Sequence, residues 1–146
     1  MIDPRLSLFL IAVSASLATA APEFIFPEDA RFALQRLDWN QLRQTQPAAI
    51  ALCSTVADVQ AALAFARSRN LQVVTRSGRH SYWALSADTG KLVVDLGAMR
   101  KVDVDPSLGR MTVQPGARLF SLHAAAAANG FVSVRLSATQ QREYFF

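Results

Sequence analysis

The chain has 146 residues, of which 51% are hydrophobic and 18% are charged. This length suits one domain of ordinary size and excludes a multidomain machine within these residues. With six glycines and six prolines, the composition is globular and excludes collagen, a low-complexity linker and a disordered tail. A single cysteine, Cys53, excludes an internal disulfide framework and a zinc site built on several thiolates. We therefore predict no metal site.

The formal net charge is +4, and 13 of the 15 basic residues are arginines. Arginine suits bidentate contact with phosphate or carboxylate groups. These arginines are spread along the chain, whereas nucleic-acid binders concentrate basic residues with aromatic residues on one face. We therefore expect most of them on a solvated surface and predict no nucleic-acid partner. The exception is the short run from Arg76 to His80.

Residues 1–20 have the pattern of a secretory signal peptide. The stretch from Leu6 to Ala18 is apolar apart from three serines, follows Arg5 and leads to the small-x-small sequence that ends at Ala20. This stretch is too short to cross about 30 Å of hydrocarbon at about 1.5 Å per residue. We therefore expect a secreted, extracellular protein without a membrane anchor. The alternative is a buried amino-terminal helix.

The segment 21–46 is predicted to be helical. Its apolar residues recur at helical spacing, namely Ala30, Ala33, Leu34, Leu37, Trp39 and Leu42. The aromatic residues of this segment are expected to be packing groups and not a ligand-binding box. They are Phe24, Phe26, Phe32 and Trp39.

From Pro47 onward the pattern indicates a strand, a helix and a second strand. The apolar run 48–53 predicts a buried strand, in which Cys53 is a small core residue. Thr55 and Asp58 have the spacing of a reciprocal cap at a helix start. The predicted helix has one apolar face, formed by Val56, Val59, Leu63 and Ala66. The run 71–75 predicts the second strand, and a unit of this length makes its two strands parallel.

The remaining elements follow a loop over residues 76–90. The run 92–96 predicts another strand, and the segments 102–104 and 110–113 flank Pro106 and Gly109, which suits a hairpin. The apolar run from Leu119 to Ala128 predicts a helix that ends at Asn129-Gly130. The fold class is therefore α+β, with a strand–helix–strand unit followed by an antiparallel hairpin and a helix.

The loop Arg76-Ser77-Gly78-Arg79-His80-Ser81 directly follows the second predicted strand. A glycine-containing, hydroxyl-rich turn at a strand end directs several backbone N–H groups to one place, which is typical of oxyanion sites such as those for a pyrophosphate. The same composition also occurs in ordinary surface loops, and a single histidine usually packs or faces solvent. From the residues alone, a nucleotide site and a surface loop both remain open.

The segment 47–131 resembles the amino-terminal half of the FAD-binding domain of the vanillyl-alcohol oxidase / p-cresol methylhydroxylase family, nearest its berberine-bridge-enzyme-like secreted members. The matching pieces stand in family order. They are Pro47–Ile50, Ser54–Val59, Ala64–Arg67, Arg76–Tyr82, Leu92–Leu96, Met99–Pro106, Val113–Ala117 and Ala128–Phe131. The resemblance implies the first half of a PCMH-type FAD-binding domain, here partial.

In that family the histidine of an Arg-Ser-Gly-Gly-His loop is bonded covalently to the 8α-methyl carbon of the flavin, and the loop backbone holds the pyrophosphate. The resemblance therefore implies FAD as cofactor, with His80 as the candidate for covalent attachment. The implied cofactor-binding residues are Arg76, Ser77, Gly78, Arg79, His80 and Ser81.

Two residues depart from the family pattern. Arg79 stands at the second glycine of the loop, and Ala84 stands where a glycine is common. If residue 79 requires a positive φ, its side chain costs on the order of 1 kcal/mol or more. If the side chain points outward, it adds a phosphate contact. Tyr82 and Trp83 are expected to shield the cofactor or the core without touching substrate.

After Phe131 the resemblance ends, and residues 132–146 are predicted to be a non-matching tail without glycine. The family continues with a second glycine-rich segment and a substrate domain, so we expect a truncated fragment that lacks a second half or a partner chain. No catalytic base can be named, and the small-molecule substrate is an alcohol, a sugar or an alkaloid by resemblance. The alternative is a non-catalytic secreted module or defective flavin domain that binds a partner through an exposed apolar face.

Overall fold

The computed structural model describes residues 21–132. The predicted signal peptide and the tail 133–146 lie outside this range. The strands are β1 Glu23–Ile25, β2 Ala49–Leu52, β3 Val73–Arg76, β4 Leu92–Asp95, β5 Val102–Asp105 and β6 Arg110–Val113. The helices are α1 Phe32–Gln35, α2 Val56–Ser68 and α3 Leu119–Ala128.

Four strands form one sheet in the order β1-β2-β4-β3. β4 lies between β2 and β3 and is parallel to both, while β1 pairs antiparallel with β2. The strand–helix–strand unit β2-α2-β3 is therefore confirmed, with β4 inserted between its two strands. β5 and β6 form the separate antiparallel hairpin that Pro106 and Gly109 predict. The α+β class is confirmed.

Both faces of the sheet are covered, because alternate residues of a strand point to opposite faces. On the α2 face, Ala49, Ala51 and Leu92 pack with Ala62 and Ala66 of the helix. On the opposite face lie Ile25, Phe32, Ile50, Ala87 and Val93. All four residues of β4 are buried, as expected for a strand between two neighbours. Cys53 is fully buried next to β2, as predicted.

The start of α2 has the predicted reciprocal cap. The Thr55 hydroxyl accepts a hydrogen bond from the Asp58 amide at 3.1 Å, and the Asp58 carboxylate accepts one from the Thr55 amide at 2.9 Å. The predicted apolar face is confirmed in part, since Ala66 is buried and Val59 packs against the core. The helix buries Ala62 and Ala66, whereas Val56 is 64% exposed, because the small alanines permit close approach to the sheet.

The prediction of a helix over 21–46 is wrong for most of that segment. The structure gives it the strand β1 and a single helical turn, α1. In β1 the period is two: Ile25 points into the core, while Phe24 packs on Phe65 with ring centroids 4.4 Å apart. Leu42, assigned to the apolar face, is 96% exposed.

The carboxyl-terminal elements agree with the sequence pattern. α3 ends at Asn129, and Gly130 adopts a φ of 74° in the left-handed region that glycine favours. α3 packs against β5 of the hairpin. None of the helices in the described range has the length and hydrophobicity needed to cross a bilayer.

Candidate functional site

A cleft of about 1260 Å³ opens at the carboxyl ends of β3 and β4. One wall is the loop after β3, and the other combines the turn after β4 with the segment that leads into α3. Ligands of open α/β sheets bind outside the carboxyl ends of parallel strands, so the position is that of a ligand site. The lining residues are 75–81, Ser86, Leu96, Gly97, Arg100 and 115–119.

All six residues predicted to bind cofactor line this cleft: Arg76, Ser77, Gly78, Arg79, His80 and Ser81. His80 is exposed, and no described residue forms a hydrogen bond with its imidazole. The backbone N–H groups of Ser77, Gly78 and His80 also donate to no described residue. The loop therefore offers several donors and one imidazole to a ligand in the cleft.

The side chain of Arg76 is part of the support of the loop and not a free cation. It is fully buried, and its Nε donates to Asp95 Oδ2 at 2.8 Å. Its Nη2 donates to the Gln35 carbonyl oxygen at 2.6 Å. Burial lowers the pKa of Arg76, and the neighbouring Asp95 opposes that shift. Arg76 thus ties the end of β3 to β4 and to α1.

Arg79 adopts the left-handed conformation, with a φ of 59°. Its Nη2 donates to Asp95 Oδ2 at 3.1 Å and to Gln35 Oε1 at 2.5 Å. Its carbonyl oxygen accepts a hydrogen bond from the Trp39 amide at 3.0 Å. Of the two possibilities left open by the sequence, the positive φ is the one observed, and the guanidinium turns back toward Asp95.

Ala84 repeats the pattern of Arg79. It has a φ of 51° and is buried. Gly78, by contrast, does not have a positive φ. Both positions at which the sequence departs from a family glycine therefore adopt the backbone conformation that glycine favours.

Asp95 connects the two walls of the cleft. It is 6% exposed, and its Oδ2 receives the hydrogen bonds of Arg76 and Arg79. Its other oxygen, Oδ1, accepts a hydrogen bond from the Gly97 amide at 2.9 Å. One buried carboxylate thus fixes the loop after β3 and the turn after β4. Sequence reasoning assigned Asp95 only to a strand.

The second wall was not predicted as part of the site. Its turn packs closely, since a Cβ on Gly116 would meet the Leu96 carbonyl oxygen and come within 2.8 Å of that of Met99. The Gly116 amide donates to the Met99 carbonyl oxygen at 2.7 Å. The signal that could have found this wall is Leu96-Gly97, which follows a strand parallel to β3.

Two aromatic residues expected to shield the cofactor lie elsewhere. Tyr82 and Trp83 are 69% and 70% exposed and are not among the described lining residues of the cleft. Tyr82 stacks on Trp39 with centroids 6.3 Å apart. This exposure contradicts the expectation that they cover the core, whereas shielding of the cofactor stays a prediction. His123 lies on α3, outside the described lining of the cleft.

The electrostatics of the cleft favour an anion. Four arginines and His80 line it, together with hydroxyl groups from Thr75, Ser77, Ser81 and Ser86, and no carboxylate belongs to its described lining. The amino terminus of α3 adds the positive end of a helix dipole. The volume is ample for a large ligand, since typical small-molecule sites have about 300–1,000 Å³. These residues fit the phosphate groups of a dinucleotide.

Comparison with known proteins identifies the domain. Residues 47–141 match the family described as FAD binding domain. The chain belongs to this family. The match begins at Pro47, where the resemblance also begins, and continues to residue 141, ten residues beyond Phe131, where the resemblance ends.

Two relatives and one solved structure are similar to this chain. Xylooligosaccharide oxidase from Thermothelomyces thermophilus is 45% identical over 75 residues, which are 50% of this chain and 15% of that protein. (R)-6-hydroxynicotine oxidase from Paenarthrobacter nicotinovorans is 28% identical over 84% of this chain and 27% of its own length. The crystal structure of 6-hydroxy-D-nicotine oxidase from Arthrobacter nicotinovorans superposes with a TM-score of 0.73 at 26% identity, over 82% of this chain and 26% of that one. The chain thus spans about a quarter or less of the relatives that it matches.

Proposed function

We propose that the chain is the cofactor-binding part of a secreted FAD-dependent oxidoreductase. The proposed reaction removes hydride from a C–H bond of a sugar, an alcohol or an alkaloid. Molecular oxygen then accepts the electrons and is reduced to hydrogen peroxide. The observation that carries the proposal is the cleft itself, in which the six-residue loop faces a wall without carboxylates. The relatives support the substrate classes, since one oxidises xylooligosaccharides and another 6-hydroxynicotine.

The residues of the loop have separate roles in this proposal. The free amides of Ser77, Gly78 and His80 bind the pyrophosphate, because backbone N–H groups are oxyanion donors that need no side-chain charge. Arg76 and Asp95 position the loop. His80 is the proposed point of covalent attachment, since an imidazole nitrogen is a nucleophile. The new N–C bond would replace one C–H bond of the 8α-methyl group, with the proton going to solvent and the two electrons passing through the flavin to molecular oxygen. FAD supplies the electron acceptor, and we assign no catalytic acid or base to the described residues.

The test of this site uses the full chain, His80→Ala and His123→Ala, each incubated with FAD and then precipitated with acid. We expect yellow colour in the pellet for the unmodified chain and His123→Ala, and colour only in the supernatant for His80→Ala. Colour that leaves the unmodified protein on precipitation would refute covalent attachment while preserving reversible binding. Failure of the unmodified chain to perturb the FAD spectrum would refute the cofactor site.

Two further measurements address activity and export. Peroxide release from the FAD-loaded chain is measured with a xylooligosaccharide and with 6-hydroxynicotine, and peroxide from neither substrate argues against both substrate classes. Sequencing the amino terminus of protein recovered from the medium is expected to show cleavage after Ala20. An intact amino terminus on protein retained in the cell contradicts the proposed secretion.

One observation favours the alternative of a partner-binding module. Trp39, Tyr82 and Trp83 form an exposed cluster of contacting rings next to the cofactor loop. Contiguous exposed aromatic surface is typical of interaction sites. This alternative predicts a chain that retains no FAD and releases no peroxide, and whose self-association, measured by sedimentation, falls in Trp83→Ser.

A further inference from the structure

Four arginines line the cleft, and they fall into two pairs. Arg76 and Arg79 both donate to Asp95, so one buried carboxylate is shared by these two guanidinium groups and balances one of their two positive charges. Arg100 and Arg118, on the other wall, form no ion pair within residues 21–132. Because no carboxylate belongs to the described lining, the two lining guanidinium groups that have no ion-pair partner lie on this second wall.

The backbone brings these two arginines to the same wall. Arg100 follows Met99, whose carbonyl oxygen receives the Gly116 amide at 2.7 Å, and Arg118 lies two residues after Gly116. The neighbouring Lys101 carbonyl oxygen accepts a hydrogen bond from the Gln114 amide at 2.9 Å. The close packing of Gly116 against Leu96 and Met99 leaves little freedom between the two segments. Both arginines therefore have a fixed backbone position.

Both arginines are exposed, and both line the cleft. Arg100 Nε donates to the Gly97 carbonyl oxygen at 2.6 Å, and Gly97 itself lines the cleft. Arg118 is the N-cap residue of α3, and its side chain makes no capping hydrogen bond. α3 has no acidic residue in its first turn that would bind these cations. The second wall thus offers two guanidinium groups without an anionic partner of their own.

We propose that Arg100 and Arg118 bind the pyrophosphate of the cofactor from the side opposite the 77–81 loop, and that they make the cleft select a flavin carrying a pyrophosphate over one without phosphate. The inference rests on the proposed cofactor site and names two residues that the sequence motif does not contain. Guanidinium groups match phosphate oxygens in geometry and in charge. The loop contributes mainly neutral amides, so the discrimination by charge comes from the second wall.

The experiment compares the full chain with Arg100→Gln, Arg118→Gln and, as a matched control, Arg110→Gln. Arg110 is an exposed arginine of β6, outside the described lining and in no ion pair within residues 21–132. Dissociation constants are measured for FAD, riboflavin and inorganic pyrophosphate. We expect each cleft variant to bind FAD and pyrophosphate about tenfold more weakly. Riboflavin binding stays unchanged, and Arg110→Gln behaves like the unmodified chain.

Salt provides an independent readout, since contacts between guanidinium groups and phosphates weaken with ionic strength. The dependence of FAD affinity on salt should be less steep in Arg118→Gln than in the unmodified chain. Far-UV circular dichroism of each variant establishes that the fold is retained.

The outcomes separate this inference from the proposed cofactor site. If the unmodified chain binds FAD and both cleft variants bind it equally well, the inference is overturned and the cofactor site stands. Equal loss of riboflavin and FAD affinity also overturns it, because the arginines would then act on the flavin ring or on the fold. Pyrophosphate binding that depends on Arg100 and Arg118 in a chain that binds no FAD supports the anion-binding wall and refutes the flavin site. No pyrophosphate binding by the unmodified chain overturns the inference outright.

Discussion

The conformation of Arg79 leads to a quantitative prediction about stability. A non-glycine residue in the left-handed region costs about 1–2 kcal/mol relative to a right-handed one, and Arg79 has a φ of 59°. Two substitutions separate this backbone cost from the contacts of the guanidinium. Arg79→Ala removes the contacts and retains the cost. Arg79→Gly removes both.

The magnitudes follow from the contacts of the side chain. Its ion pair with Asp95 is 3.1 Å long, with the arginine side chain 32% exposed, and Asp95 keeps Arg76 as a second partner. We therefore assign that pair no more than about 1 kcal/mol. Glycine relieves the backbone cost, but it also raises the conformational entropy of the unfolded chain, which destabilises the folded state by about 0.4–1 kcal/mol. The glycine variant should thus be more stable than the alanine variant by about 1 kcal/mol, and it should lie within about 1 kcal/mol of the unmodified chain.

The assay is urea unfolding of the full chain followed by circular dichroism, with the slope m compared between variants so that a shift in midpoint reports stability. In thermal unfolding, the same difference corresponds to about 4 °C or more for a domain of this size. Arg79→Asn is a useful third variant, because asparagine tolerates the left-handed region better than alanine. An alanine variant as stable as the glycine variant would show that residue 79 is not strained.

Three more predictions concern the helix cap, the second wall and the cysteine. The backbone hydrogen bond from Ser54 holds the pKa of Asp58 below its ordinary value of 3.8. The stability that this carboxylate contributes is therefore present above about pH 4, and it is lost as the pH falls through the lowered pKa of the folded state. Asp58→Asn should cost about 1 kcal/mol at pH 7 and flatten the acid dependence between pH 5 and pH 2, measured by urea unfolding. Gly116→Ala should lower the free energy of unfolding by about 2 kcal/mol and also weaken FAD binding. The control is Gly109→Ala, where the added Cβ has open space around it but the residue keeps a φ of 60°. This control should lower the free energy of unfolding by about 1 kcal/mol and bind FAD normally. Burial, with smaller contributions from Asp58 and Asp95, raises the pKa of Cys53 to about 11. A thiol reagent at pH 8 should therefore react with Cys53 only after urea is added. Reaction of the folded chain would contradict the buried position.

The elements that the sequence predicts well are those whose signals are local. Thr55 and Asp58 are three residues apart and bind each other's backbone, so the start of α2 can be read from four residues. β2 and β4 are short apolar runs bounded by polar residues. The hairpin is marked by Pro106 and Gly109 between two strands of four residues. In each case the sequence signal that marks the element lies within it or next to it.

β1 could not be read in the same way. Its three residues pair with β2 in the register Glu23 with Leu52 and Ile25 with Ile50, partners about 25 residues away. The apolar spacing from Ala30 to Leu42 satisfied a helical period. The segment around Glu23–Ile25 is nevertheless a strand, because it pairs with the free edge of β2, and this tertiary pairing outweighs the local helical pattern.

In the candidate site, too, the part with a local sequence signal was predicted and the part without one was not. The loop 76–81 was found because it is one continuous segment with a family motif. The second wall comes from two segments more than ten residues apart, which the β5-β6 hairpin connects. Neither Arg100 nor Arg118 belongs to the loop motif, and a solvated surface was the reasonable expectation for both.

Asp95 shows why a residue-by-residue reading of the loop was incomplete. The parallel register places Arg76 directly opposite Asp95, so the pair forms as soon as β3 and β4 align. A second arginine, Arg79, can reach the same oxygen only if the chain turns back at residue 79, and the positive φ provides that turn. The departure from the family glycine therefore keeps the backbone conformation at residue 79 and adds a contact that glycine lacks. If this account is correct, Asp95→Asn removes the charge that draws both arginines inward, and the loss of stability on Arg79→Ala should shrink in that background, as a double-mutant cycle would measure.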